Sequence, residues 1–438
     1  MGYRRLPLAV LLALLLSTSC KPGQPPPPPP PPPAPPPAAV VDATTLDKKI
    51  LFGYQGWFAC PGDGSPVGGW VHWFRDGVPD EAHATIDCWP DVSQLDPDEL
   101  FPTNMTLPDG RPAVVYSAHV KKTVVRHFRW MKENGLDGVL LQRFSSELSD
   151  PRFFELRNHV LDNVREGAEA HGRVFAIMYD ISGQQEATLL ETLKKDWMFL
   201  VDQKNVTGSD RYLRHKGKPF VAVWGLGYAD RPGTPAMALE LIDWFKNSAP
   251  ERYRATILGG VPGDWRTLSG DSKPDPDWAR VYRSWEVLSP WTVGRYVDEN
   301  GADDYARRYI QPDLAETAAR GIEYMPVVFP GFSWANLMGG PLNQIPRQGG
   351  RFWWRQVYNA SASNVRMLFG AMFDEVDEGT AMFRIAPARR EIPVQGQFLS
   401  LDADGRNLPA DWYLRLAGEA TRYFGAGTPV PREIPITP

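Results

Sequence analysis

The chain has 438 residues, with 47 Lys or Arg against 52 Asp or Glu, a formal net charge of −5. Its basic residues are scattered rather than clustered, which excludes nucleic acid or an anionic membrane surface as the main partner.

Residues 1–20 follow the three-part plan of a secretory signal: Arg4 and Arg5, the apolar run Leu6 to Leu16, then Ser17-Thr18-Ser19 ahead of Cys20. The apolar run is too short to span a bilayer. A cysteine directly after small residues resembles a bacterial lipoprotein site, so Cys20 is expected to be acylated and to anchor an exported protein to a membrane of the cell envelope. Ser17 stands where such sites usually carry Leu, which leaves simple secretion or a retained anchor as alternatives. Residues 21–41 form a linker in which positions 25–37 are all proline except Ala34. That composition enforces polyproline II and gives a stiff spacer of about 40 Å. From 42 to 438 the composition is even, without repeats or a second linker, as expected of one monomeric catalytic domain.

Short apolar runs then alternate with helical patterns: Ile50-Trp57, Gly138-Phe144, Val174-Asp180, Phe220-Gly225, Thr256-Val261, Val287-Trp291, Tyr324-Phe329 and Met367-Phe373. Val124, Phe128 and Met131 recur at helical spacing within Val120-Glu133, as do Leu156, Val160 and Val164 within Phe153-Ala170. Strands separated by helices make a parallel sheet, and eight such units predict an α/β fold, a (β/α)8 TIM-type barrel with long βα loops. An open dinucleotide-binding sheet would show a glycine-rich turn after the first strand, and none is present. Polar or aromatic residues at or just beyond the strand ends are candidates for substrate binding: Trp57, Gln142, Arg143, Asp180, Trp224, Trp291 and Trp334. For Arg143 and Asp180 an ordinary rim salt bridge is the alternative.

The last run, Met367-Phe373, carries no charge, yet Asp374, Glu375, Asp377 and Glu378 follow at once. A charge run is usually a solvated surface, but the C-terminal end of a barrel strand is where such enzymes place their chemistry. Cleaving a glycosidic bond needs one carboxyl to protonate the leaving oxygen and a second group on the other side of the anomeric centre, so this segment carries the minimum equipment. The sixteen tryptophans are about three times the ordinary share. Indole planes stack on sugar C–H faces, and Trp57, Trp70, Trp73, Trp89, Trp224, Trp265, Trp291 and Trp334 fall in loops or strand ends. Trp130, Trp197, Trp244 and Trp354 lie in helical contexts and belong to the core.

Neither the seven histidines nor the acidic segment has the spacing of a zinc or EF-hand site, so no metal and no cofactor is expected. A nucleophilic serine elbow is also missing. Cys60 and Cys88 are either a disulfide or two buried thiols.

The segments Phe52-Phe58, Asp87-Asp91, Phe128-Met131, Phe329-Trp334 and Phe373-Thr380 resemble the glycoside hydrolase 71/99-like group of bacterial proteins. Asp374-Glu375-Val376-Asp377-Glu378-Gly379-Thr380 is similar to the Asn-Glu-Trp-His-Glu-Gly-Thr motif that ends the last strand of family 99 endo-α-mannosidases. The resemblance implies a β/α-barrel glycosidase acting, with retention, on an α-linked polysaccharide or glycan. Glu375 would be the base that deprotonates the sugar 2-hydroxyl and Glu378 the general acid and later base. Tyr54 resembles a tyrosine of the family's sugar pocket, and Asp374 would lie beside the pair as a substrate-binding residue. Asp374, Val376 and Asp377 depart from the motif, removing an indole and an imidazole. A non-catalytic carbohydrate-binding lipoprotein on the same barrel is the rival expectation.

Overall fold

In the computed structural model, residues 1–2 and 40–438 are described, so the signal segment, Cys20 and nearly all of the proline linker lie outside the described residues. Residues 40–438 fall within one compact unit. Its centre is a parallel sheet of eight strands: β1 (Ile50–Tyr54), β2 (Gly138–Phe144), β3 (Val174–Asp180), β4 (Lys218–Trp224), β5 (Thr256–Val261), β6 (Val287–Pro290), β7 (Glu323–Tyr324 with Val327–Val328) and β8 (Leu368–Gly370).

Each strand pairs with the next, and β1 also pairs with β8, Ile50 opposite Leu368. β7 closes the ring in two halves. Glu323 and Tyr324 pair with Val287 and Leu288 of β6, and Val327 and Val328 pair with Phe369 and Gly370 of β8. Pro326, which has no N–H to give a ladder, separates the halves, while its carbonyl still accepts from the Phe369 N–H. The (β/α)8 architecture expected from the eight runs is therefore present.

The intervening helices follow from patterning and caps. Lys121–Asn134 buries Val124, Phe128 and Met131 and ends on Gly135 in the left-handed region. Pro151–His171 begins with Asp150 accepting from the Arg152 N–H and Pro151 in the first turn. These two helices pack against one another outside the sheet, each buried Leu, Val or Phe contributing about 1.5–3 kcal/mol. Gly138 opens β2 because β3 passes so close that a Cβ would sit 1.9 Å from the Val174 carbonyl oxygen.

The segment between β1 and helix Lys121–Asn134 is long and carries a small antiparallel hairpin, Phe101–Thr106 with Pro112–Val115. It clasps the tail that follows β8. Asp87 and Cys88 donate their N–H groups to the Val376 carbonyl, Trp89 donates to Leu399, and Leu399 donates back to Asp87.

Candidate active site

β8 ends at Gly370, and the chain turns through Asp374–Thr380 over the mouth of the barrel. The turn is fixed from several directions. Asp374 is 1% exposed and accepts from the N–H groups of Gln55 (2.7 Å) and Gly56 (2.9 Å), just past the end of β1. Glu375 receives the Gln55 side-chain amide on one oxygen at 2.5 Å and the Thr380 hydroxyl on the other at 2.6 Å. The Glu375 carbonyl accepts from Thr380 and Ala381, and the Glu378 carbonyl from Ser333. Arg347 donates to the carbonyls of Gly379 (2.8 Å) and Ala381 (2.7 Å), fastening the far end.

Glu378 is the half-buried member of the group, whereas Glu375 is buried. Burial raises the proton affinity of all four carboxyls, because the charged form loses water. Asp374 is pushed up to about 7, against the pull of the Gly56 and Gln55 N–H groups. Asp377 is pushed up to about 8, opposed by the backbone N–H groups of Asp377 and Glu378. Burial and then the Asp377 charge push Glu378 up to about 8, with a smaller contribution from Asp180 across the mouth. The Trp334 indole N–H beside Glu378 works in the opposite sense without completing a hydrogen bond. Glu375 is raised well above the carboxylate range by burial and by the charges of Glu378 and Asp377.

Trp334 is placed by Asp87. This buried carboxylate accepts from the Ser333 hydroxyl (2.5 Å) and the N–H groups of Ala335 (2.7 Å) and Asn336 (2.8 Å). Trp57, after β1, lies face to face on His72, ring centroids 3.7 Å apart and planes 5° from parallel. His72 Nδ1 is 3.3 Å from Asp377 Oδ2. Trp224 and Trp291, at the ends of β4 and β6, are half-buried with ring centroids 5.6 Å apart. The indole N–H groups of Trp57, Trp224 and Trp334 and the side-chain carbonyl of Gln142 are buried without a hydrogen-bond partner among the described residues. Buried polar groups are normally paired; Gln142 and Trp224 lie in the last residues of β2 and β4, and Trp57 and Trp334 in the segments that follow β1 and β7.

Several expected site residues have other duties. Tyr54 is wholly buried beneath the mouth, its hydroxyl 2.9 Å from His127 Nδ1, and does not line a surface. Arg143 points away from the mouth into a bidentate pair with Asp196 (2.6 and 2.7 Å) and a bond to Asn158, because a buried guanidinium needs its charge matched. Asp374 has both oxygens committed to the end of β1 and is a brace rather than a sugar ligand. Cys60 and Cys88 are free buried thiols, so the disulfide alternative is corrected. Trp73, Trp89 and Trp265 are core residues. Asp180 remains half-buried at the end of β3, accepting from the Ser182 N–H at 2.7 Å. Gln55, Asp87 and Thr380, present in the resembling segments but given no individual role by sequence, and His72, outside them, all bond to the acidic turn.

Among the described residues one acidic group, Asp96, Asp98 and Glu99, brings ligand atoms within 4.8 Å of one another. Lys122 and Arg126 pair with all three of its carboxylates, so it is an ion-pair network.

The barrel can now be compared with known structures. Two structures of a GH99 endo-α-mannosidase from Bacteroides thetaiotaomicron, one of them with bis-tris-propane, match with TM-scores of 0.62 and 0.61 at 13% and 14% identity. The chain shares the barrel fold of that mannosidase. Each match covers 87% of this chain and 98–99% of the mannosidase. A structure described as a glycoside hydrolase-like protein matches at TM-score 0.50 and 14% identity, over 82% of this chain and 99% of that one. No family model and no curated protein matches the chain by sequence. The resemblance of the segments from Phe52 to Thr380 to the 71/99-like group is thus accompanied by a barrel fold shared with a family 99 structure at very low overall identity.

Proposed function

We propose that the chain is a glycoside hydrolase that cleaves an α-linked polysaccharide or glycan internally and with retention. The observation that carries this reading is the pair at the end of β8: Glu378, half-buried and proton-retaining, and Glu375, held by Gln55 and Thr380. For the base role Glu375, whose burial and acidic neighbours favour its protonated form, has to be ionised in the sugar complex; it then takes the proton of the sugar 2-hydroxyl while O2 displaces the leaving group from C1, and Glu378 gives its proton to the departing oxygen. Water then opens the resulting 1,2-anhydro sugar at C1, losing its proton to Glu378 while Glu375 returns a proton to O2. Two inversions give net retention. The indole N–H groups of Trp57, Trp224 and Trp334 and the Gln142 carbonyl supply the hydrogen bonds that hold the sugar.

Hydrolysis of mannans, α-glucans, xylans and host-type glycans, followed by product analysis, identifies the substrate class. Glu378→Gln is expected to lower kcat by about 10²–10⁴-fold with glycan binding intact. A Glu378→Gln protein that turns over at the parental rate overturns the assignment. Glycan binding without hydrolysis by the unaltered chain establishes the sugar-capture alternative, which the full commitment of both Glu375 oxygens favours. Export and acylation at Cys20 complete the proposal, and fatty-acid labelling that disappears in Cys20→Ser is the expected result.

A further inference from the structure

The motif resemblance leaves two gaps beside the acid pair, Val376 where the family has an indole and Asp377 where it has an imidazole. The structure brings an imidazole, with an indole stacked on it, against the acidic turn from another segment. Trp57 and His72, both from the long loop after β1, stack in parallel, and His72 Nδ1 reaches the Asp377 carboxyl at 3.3 Å. His72 is firmly placed. It holds a left-handed backbone at φ 59°, uncommon for a side-chain-bearing residue, and its carbonyl accepts the Thr85 hydroxyl at 2.6 Å.

We propose that His72 is a positioning residue for Glu378: by donating its Nδ1–H to Asp377 it makes Asp377 the member of the neighbouring acid pair that ionises first, leaving the proton on Glu378. The inference rests on the glycosidase reading, in which Glu378 is the general acid.

The two carboxyls are adjacent in sequence, one buried and one half-buried, and disfavour each other's charge, so they titrate as a unit. An N–H aimed at one of them breaks the tie, because a hydrogen bond to a carboxylate favours its ionised form. The imidazole is suited to this as a neutral donor. Burial, then the nearby Arg157 charge, hold it below its usual proton affinity, with Glu147 opposing. A neutral imidazole carries one N–H; in the tautomer with the proton on Nδ1, that N–H donates to the Asp377 oxygen 3.3 Å away once Asp377 has lost its own proton. The other groups that act on the pair are Asp87, in the same loop as His72, Glu375 and Asp374 in the acidic turn, and Asp180 and Trp334 beside Glu378.

The test is the pH profile of kcat/KM on the glycan that the parent hydrolyses. His72→Phe keeps a ring on Trp57 but removes the donor, and Asp377→Asn removes the charge. Both are expected to move the alkaline limb down by about one pH unit, with the double variant moving it no further. His72→Gln, which retains an N–H, is expected to restore the limb. Limbs unmoved in both His72→Phe and Asp377→Asn overturn the assignment, as does a double variant that shifts by the sum. Carboxyl 13C NMR titration, with the Glu378 signal identified by its loss in Glu378→Gln, gives the same answer without substrate. A chain that hydrolyses no glycan therefore defeats the proposed activity while leaving the His72 assignment to be decided by the titration.

Discussion

Removing the carboxyl of Asp374 would leave two buried N–H groups, those of Gln55 and Gly56, without acceptors at once. Each unpaired buried donor costs about 1–3 kcal/mol, so Asp374→Ala is expected to lose about 2–5 kcal/mol in urea unfolding. Asp374→Asn, which keeps one acceptor oxygen, should recover part of it. The importance of the acidic turn was legible in sequence because an uncharged strand gives way abruptly to four carboxylates. Their division of labour was not. Which carboxyl braces and which faces the mouth depends on Gln55, more than 300 positions away, and no local pattern encodes that contact. His72 and Asp87 were hidden in the same way, since each acts on a segment distant in sequence.

At the scale of elements, the bounds of β2, β3 and β5 coincide with the sequence reading because each run changes character at its ends. β1 stops at Tyr54, short of the expected Trp57, because the next two N–H groups turn to Asp374 instead of a neighbouring strand. The seventh run is split by Pro326. The eighth ends at Gly370 because Met372 and Phe373 bond to Thr380 and Gly53, and Phe383 donates back to Phe373. The close approach of β2 to β3 gives a direct check. Gly138→Ala forces a methyl into the Val174 backbone, and an overpacking cost of about 1–3 kcal/mol should appear as a lower Tm with the fold retained by circular dichroism.

Over the whole molecule, stability should fall as pH rises from about 4 to about 8. Asp374, Asp377 and Glu378 hold protons in the fold up to about 7 to 8, whereas in the unfolded chain they release them near 4. In that window the folded state binds more protons, so the alkaline side loses stability. Asp377→Asn and Glu378→Gln should therefore flatten the fall in Tm. His127, buried and pushed down to about 3, acts in reverse and costs stability as pH drops below about 6.5. With Cys60 and Cys88 free and buried, a reductant should leave Tm unchanged.

The closure of the barrel through β7 makes its wall uneven. β2 and β3 are zipped over seven residues, from Gly138 opposite Val174 to Phe144 opposite Asp180, whereas β8 meets β7 only along Pro326 to Val328. The acidic turn hangs from that thin side. Opening fluctuations should concentrate there, so the Phe369 and Ala371 amides, bonded to Pro326 and Val328, are expected to exchange with deuterium faster than those of β2. A glycan gripped by the turn would act as a rivet across the seam, and its arrival should register first as slowed exchange at those two amides.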